Sequence, residues 1–97
     1  SSRNQYLSPQ EREVSAIIHH TLHAMRDGLL VGLPLAQVEA DADEALRDAG
    51  FVPDYAVVRR PDLTEPMDGE AGDLVALIAA RLGRTRLIDN LEFHLAG

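Results

Sequence analysis

The chain has 97 residues, 45% of them apolar, which is enough for one core without disulfides or a structural metal and too little for two independently folded domains. Sixteen acidic residues against nine basic ones give a net charge of -7, so a nucleic-acid surface or an anionic membrane patch would have to form against the overall field. Every cation is Arg and Cys is absent, which excludes a lysine Schiff base, a P-loop lysine, a cysteine nucleophile and a thiolate metal site within these residues and suits a reducing cytosol.

Positions 1–12 are polar and lack the apolar stretch of a secretory signal, and the start on Ser leads us to expect that translation begins further upstream. Ser8-Pro9-Gln10-Glu11 predicts a helix start, with Ser8 as cap, Pro9 in the first turn and Glu11 completing a capping box. Val14, Ile17, Ile18, Leu22 and Met25 then trace one helical stripe, and Gly28 is expected to close the helix, which is assigned to Pro9–Asp27. Pro34 opens a second helix to Ala49, with Leu35, Val38, Ala42, Ala45, Leu46 and Ala49 on one face and Glu39, Asp41, Asp43, Glu44 and Asp48 opposite. Gly50 ends it, with Phe51 placed to fold back on the last turn. Tyr55–Arg59 is rich in β-formers and halts at Pro61, Thr64–Gly72 is a loop punctuated by Pro66 and Gly69, and Asp73–Leu82 is an apolar run. A tight turn at Gly83-Arg84 joins that run to Thr85–Phe93, making it a strand of a hairpin. The fold class is therefore α+β: a single domain over residues 1–97, with a small three-stranded antiparallel sheet and two helices packed on one face. The longest apolar stretch, Leu74–Ala80, is far below the roughly 20 residues a bilayer requires, so a soluble domain is expected.

Ser1-Ser2-Arg3-Asn4 is the densest polar cluster outside the helices, with hydroxyls and a guanidinium that could grip a phosphate. On chemistry alone a frayed terminus with a stray Arg is the better reading. His19 and His23, with His20 between them, have the i,i+4 spacing of metal ligands, yet they lack a third ligand and an HExxH frame, so a solvated helix face is expected and no metal is assigned. His94 is read the same way. The acidic residues of the second helix lack the turn glycine and alternating ligands of an EF-hand. Arg59-Arg60 and Arg81, Arg84 and Arg86 have no interleaved aromatics, so ion pairs rather than nucleic-acid contacts are expected. Asp89-Asn90 falls in a strand that both residues disfavour, which predicts a bulge, a hydrogen-bonded corner or an inter-domain contact.

SSRNQYLSPQER, then DYAVVRRPDL and ALIAARLGRTRLIDN, in that order and over essentially the whole chain, resemble the C-terminal part of the pantoate:β-alanine ligase (pantothenate synthetase) family. The resemblance implies an ATP-dependent, AMP-forming ligase of the nucleotidyltransferase superfamily, in which pantoate and ATP give pantoyl adenylate and pyrophosphate before β-alanine displaces AMP. It implies that this chain is the lid domain, that residues 1–7 are a hinge, and that Ser1, Ser2 and Arg3 contact the ATP phosphates with Mg²⁺ present. It also implies a partner, the N-terminal Rossmann-like catalytic domain of the same chain. The full-length enzyme would be a cytoplasmic homodimer, with neither nucleic acid nor membrane as partner. No catalytic residue is assigned within the fragment, which is expected to be inactive alone. The competing reading is a non-catalytic α+β module that binds a partner, or itself, through a free sheet edge or helix face.

Overall fold

The computed structural model describes residues 9–96, with side chains described from Arg12 onward. Helix α1 spans Pro9–Leu30, helix α2 Leu35–Asp48, and strands β1, β2 and β3 run Val52–Arg59, Gly72–Leu82 and Thr85–Leu95. The strands form one antiparallel sheet in the order β1-β2-β3. The predicted Ser8 cap and its Glu11 partner lie outside the described side chains.

Period-2 alternation divides β2 between two faces. Leu74, Ala76, Ile78 and Ala80 join the core with Ala56 and Val58 of β1, and above them lie Ile18, Leu22 and Met25 of α1 and Val38, Ala42 and Leu46 of α2. Both helices therefore cover one side of the sheet, α2 against β1 and α1 against β2 and β3. The small residues Ala76 and Ala80 are fully buried, which keeps the centre of β2 flat enough for large aliphatic side chains to settle on it.

Several boundaries differ from the sequence reading. The first helix continues past Gly28 to Leu30, and Gly28 is a packing glycine rather than a cap. A Cβ built there would stand 3.1 Å from Val38 Cγ2, so the missing side chain lets α2 approach α1. The cap is Gly32, at φ 92°, where the Gly32 N–H donates to Leu29 O and the Leu33 N–H to Gly28 O. Gly50 performs the same role for α2 as predicted, with the Phe51 N–H donating to Leu46 O at 2.9 Å and the Phe51 ring buried. Strand β1 begins three residues early and includes Pro53, a residue confined to positions such as this edge strand because it has no N–H to give a ladder. A register shift between Pro53 and Tyr55 sets Asp54 out of the ladder. Asp89-Asn90 makes no bulge: both residues pair regularly with Ile78 and Leu77, and Asp89 Oδ1 accepts the Asn90 N–H at 2.8 Å.

The α2 N-terminus is capped from a distance. Pro34 has no side-chain oxygen to offer, and Asp68, in the β1–β2 loop, accepts the Leu35 N–H at 2.8 Å. The loop is thereby tied to the helix layer. Replacing Asp68 by Ala should cost about 1 kcal/mol, the usual value of an N-cap, read as a lower urea midpoint at unchanged slope; an unaltered midpoint would show that the cap adds nothing.

Candidate functional site

Because both helices occupy one side, the opposite face of the sheet has no cover from α1 or α2. Its centre is apolar, with Val57, Val75, Leu77 and Ile88 brought side by side by the registers Leu77↔Val57, Val75↔Glu92 and Ala79↔Ile88. Ile88 is 59% exposed. The two ends of this face carry opposite charge. At the hairpin end Asp54, freed by the bulge, accepts from Arg86 Nε at 2.9 Å and lies 3.6 Å from Arg81 Nε. At the other end Asp73 and His94 are cross-strand partners, with His94 Nδ1 2.8 Å from Asp73 Oδ1, and Glu92 stands beside them.

A cavity of about 630 Å³ opens at this acidic end, between the sheet and the start of the β1–β2 loop. Asp73, Asn90, Glu92 and His94 form its polar wall, and Pro61 and Leu63 its apolar one. The loop is held by a polar knot: Arg60 donates from Nε and Nη2 to both oxygens of Glu70, at 2.8 and 2.7 Å, and from Nη1 to Thr64 Oγ1. Asp62 accepts from the hydroxyl and the N–H of Thr64. This frame forces Leu63 to a positive φ of 71°, a conformation that costs a non-glycine residue on the order of 1–3 kcal/mol, and leaves its side chain 63% exposed beside the cavity.

The same contacts hold three carboxyls below their ordinary value: Asp54 chiefly through the Arg86 hydrogen bond, Glu70 through that of Arg60, and Asp62 through the Thr64 hydroxyl. With lowered folded-state values, the folded chain binds fewer protons than the unfolded one in acid. The stability these groups contribute is fully present above the ordinary carboxylate value near 4 and is lost as pH falls from there through the lowered folded-state values. The melting temperature should therefore fall as pH drops below about 4, and the fall should be shallower in Arg86→Gln. Parallel profiles would remove the Asp54 pair from the account.

The remaining sequence candidates distribute as follows. Ser1, Ser2 and Arg3 lie outside the described residues. Arg59 reaches the acidic helix, with Nη1 3.2 Å from Glu39 Oε2, and lies 3.9 Å from Glu65 through Nη2, while the other arginine pairs among the described residues fall on Asp54, Glu70 and residues of their own helices. His19 and His23 meet on the outer face of α1, and His20 points into a separate groove between the helices. Among the described residues no three His, Cys, Asp or Glu side chains converge, and no helix is long and apolar enough to cross a membrane. The knot at Arg60–Glu70 and the cap from Asp68 have no local sequence signal, since their partners are 10 and 33 residues apart.

An α+β layer with one sheet face left open, a tightly braced loop beside it and no reactive constellation among its described residues has the make-up of a domain that completes a larger protein. Residues 1–92 match the family described as pantoate-beta-alanine ligase, and the chain belongs to that family. It is 68% identical over 93 residues to the pantothenate synthetase of Xanthomonas oryzae pv. oryzae (strain PXO99A), covering 96% of this chain and 33% of that protein. The pantothenate synthetase of Stenotrophomonas maltophilia (strain R551-3) is 62% identical over 94 residues, with the same coverage of 96% and 33%. The crystal structure of pantothenate synthetase from Thermus thermophilus superposes with a TM-score of 0.75 at 38% identity, covering 94% of this chain and 33% of that one. The chain thus spans about a third of the length of these relatives.

Proposed function

We propose that this chain is the C-terminal lid domain of a cytoplasmic, homodimeric pantothenate synthetase. The observation that carries the reading is the family match over residues 1–92, which includes the Ser1-Ser2-Arg3 segment, by a chain one-third as long as its relatives. In the adenylation step a pantoate carboxylate oxygen attacks the α-phosphorus of ATP, and the bond to the β-phosphate breaks to release pyrophosphate. The amine of β-alanine then attacks the acyl carbon of pantoyl adenylate, giving pantothenate and AMP. The pantoate pocket and most of the nucleotide site belong to the preceding catalytic domain. This chain supplies Ser1, Ser2 and Arg3, whose donors would hold the departing pyrophosphate, with residues 1–7 as the hinge.

The open sheet face, with its apolar centre and charged ends, is the side that turns towards the catalytic domain when the lid closes. Mg²⁺ would enter on the ATP phosphates and offset their charge; the described residues of this chain, with no convergent carboxylates, do not fit a cage for it. Residues 1–97 act as a single domain in this scheme.

The test is a comparison of two proteins. The whole protein that contains this chain should release AMP and form pantothenate from ATP, pantoate and β-alanine, whereas the purified 97-residue chain should release none. AMP formation by the isolated chain, or a whole protein with no pantoate-dependent turnover, would overturn the reading; the latter outcome would favour a binding module.

A further inference from the structure

The ring pair on α1 has no part in the reading above and stands on separate observations. With Ile18, Leu22 and Met25 turned into the core, the outer surface of α1 displays His19 and His23 one turn apart. Their Nε2 atoms are 3.0 Å from each other, the ring centroids are 4.4 Å apart and the planes meet at 65°. Two imidazoles do not converge on this scale by spacing alone, because each has its own rotamer freedom. Here the two Nε2 atoms face each other at hydrogen-bond distance. Among the described residues neither ring has another hydrogen-bond partner, so the contact a ligand must displace is the one between the rings themselves.

We propose that His19 and His23 form a bidentate site for a late first-row divalent cation, with Cu²⁺ bound most tightly. A metal at the usual distance of about 2.0–2.1 Å from each of two nitrogens 3.0 Å apart subtends an angle of roughly 95°, close to the cis angle of square-planar or octahedral coordination. A tetrahedral ion would need the nitrogens at about 3.3 Å, so the present separation suits Cu²⁺ or Ni²⁺ better than Zn²⁺, in keeping with the general order of affinity. On binding, the hydrogen bond between the rings is given up: the ring that donates from Nε2 carries its proton on Nδ1 instead, and a modest turn about each side-chain bond points both Nε2 lone pairs at the cation. No third His, Asp or Glu joins the pair among the described residues, so the other coordination positions belong to water. The site is therefore exchange-labile, unlike a closed structural zinc centre. A cation held across one turn also braces α1, because it binds the helical arrangement and not the unfolded chain.

Titration calorimetry of the 97-residue chain with CuCl₂ in a non-coordinating buffer should show one equivalent bound per chain, and a weaker equivalent for NiCl₂. His19→Gln and His23→Gln should each lower the Cu²⁺ affinity at least tenfold, while His20→Gln and His94→Gln leave it unchanged. Circular dichroism of each variant checks that helix content is retained, and added Cu²⁺ should raise the melting temperature of the parent but not of His19→Gln. Absence of saturable binding at millimolar Cu²⁺ would overturn the proposal, as would an equal loss of affinity in His20→Gln or His94→Gln.

Discussion

Arg3→Ala, introduced into the full-length ligase that this chain would complete, is expected to slow adenylation by roughly 10²- to 10³-fold, the effect of removing one preorganised donor from a developing negative charge. The motive is the proposal that Ser1-Ser2-Arg3, which falls within the family match over residues 1–92, contacts the ATP phosphates, Arg3 being its one charged member. A guanidinium offers a fixed fork of donors that can follow charge as it moves onto pyrophosphate. The second half-reaction, attack of β-alanine on preformed pantoyl adenylate, involves no pyrophosphate and should change far less. Single-turnover measurement of the two halves separates the cases. Equal slowing of both would mean that Arg3 acts through lid closure or stability, and an unchanged adenylation rate would remove its role.

The largest effect on stability is expected at Leu46. It is fully buried at the meeting of α2 with α1 and β1, and its carbonyl also accepts the Phe51 N–H that closes the helix. Leu46→Ala should cost about 2–5 kcal/mol, combining the lost transfer energy with a cavity that α1 and the sheet can fill only in part. For a domain of this size, whose total stability is on the order of 5–15 kcal/mol, that is a large share. Ile88→Ala removes an aliphatic side chain from the open face of the sheet and should change stability by no more than about 0.5 kcal/mol in the isolated chain. Urea denaturation reads both. A comparable loss at the two positions would mean that the open face is packed in solution.

Most of the architecture is legible in the sequence because apolar periodicity reports burial directly. The stripe from Ile18 to Met25 and that through Val38, Ala42 and Leu46 are the core faces, and the turn at Gly83-Arg84 decides that Asp73–Leu82 is a strand rather than a third helix. What periodicity does not decide is the role of single punctuating residues. Gly28 and Gly32 both follow the apolar stripe, and only the proximity of Val38 shows which one makes room for a helix and which one turns the chain. Pro53 reads as a boundary because its place on an edge depends on strand order, which is a tertiary fact. The candidate site divides in the same way. Ser1, Ser2 and Arg3 are named by family resemblance and lie outside the described residues, whereas the open sheet face follows from both helices choosing one side. The 630 Å³ cavity is lined on its loop side by Pro61 and by Leu63 at positive φ, in a loop tied by partners up to ten residues apart. The His19 and His23 spacing is visible in the sequence; the convergence of their rings is not.

The packing of α1 against β3 brings the earliest helix of the chain onto its latest strand. The β2–β3 hairpin has a two-residue turn and can form on a microsecond scale, but α1 completes its seat on the sheet only when β3 is present, across a long intervening segment whose closure costs entropy. On a ribosome, α1 would emerge before the sheet and could pack first on α2, its seat on the sheet incomplete until the strand ending at Leu95 had left the exit tunnel. Closure of this core is thus a late and cooperative event, and anything translated ahead of α1 has the whole of that interval in which to fold before this core is complete.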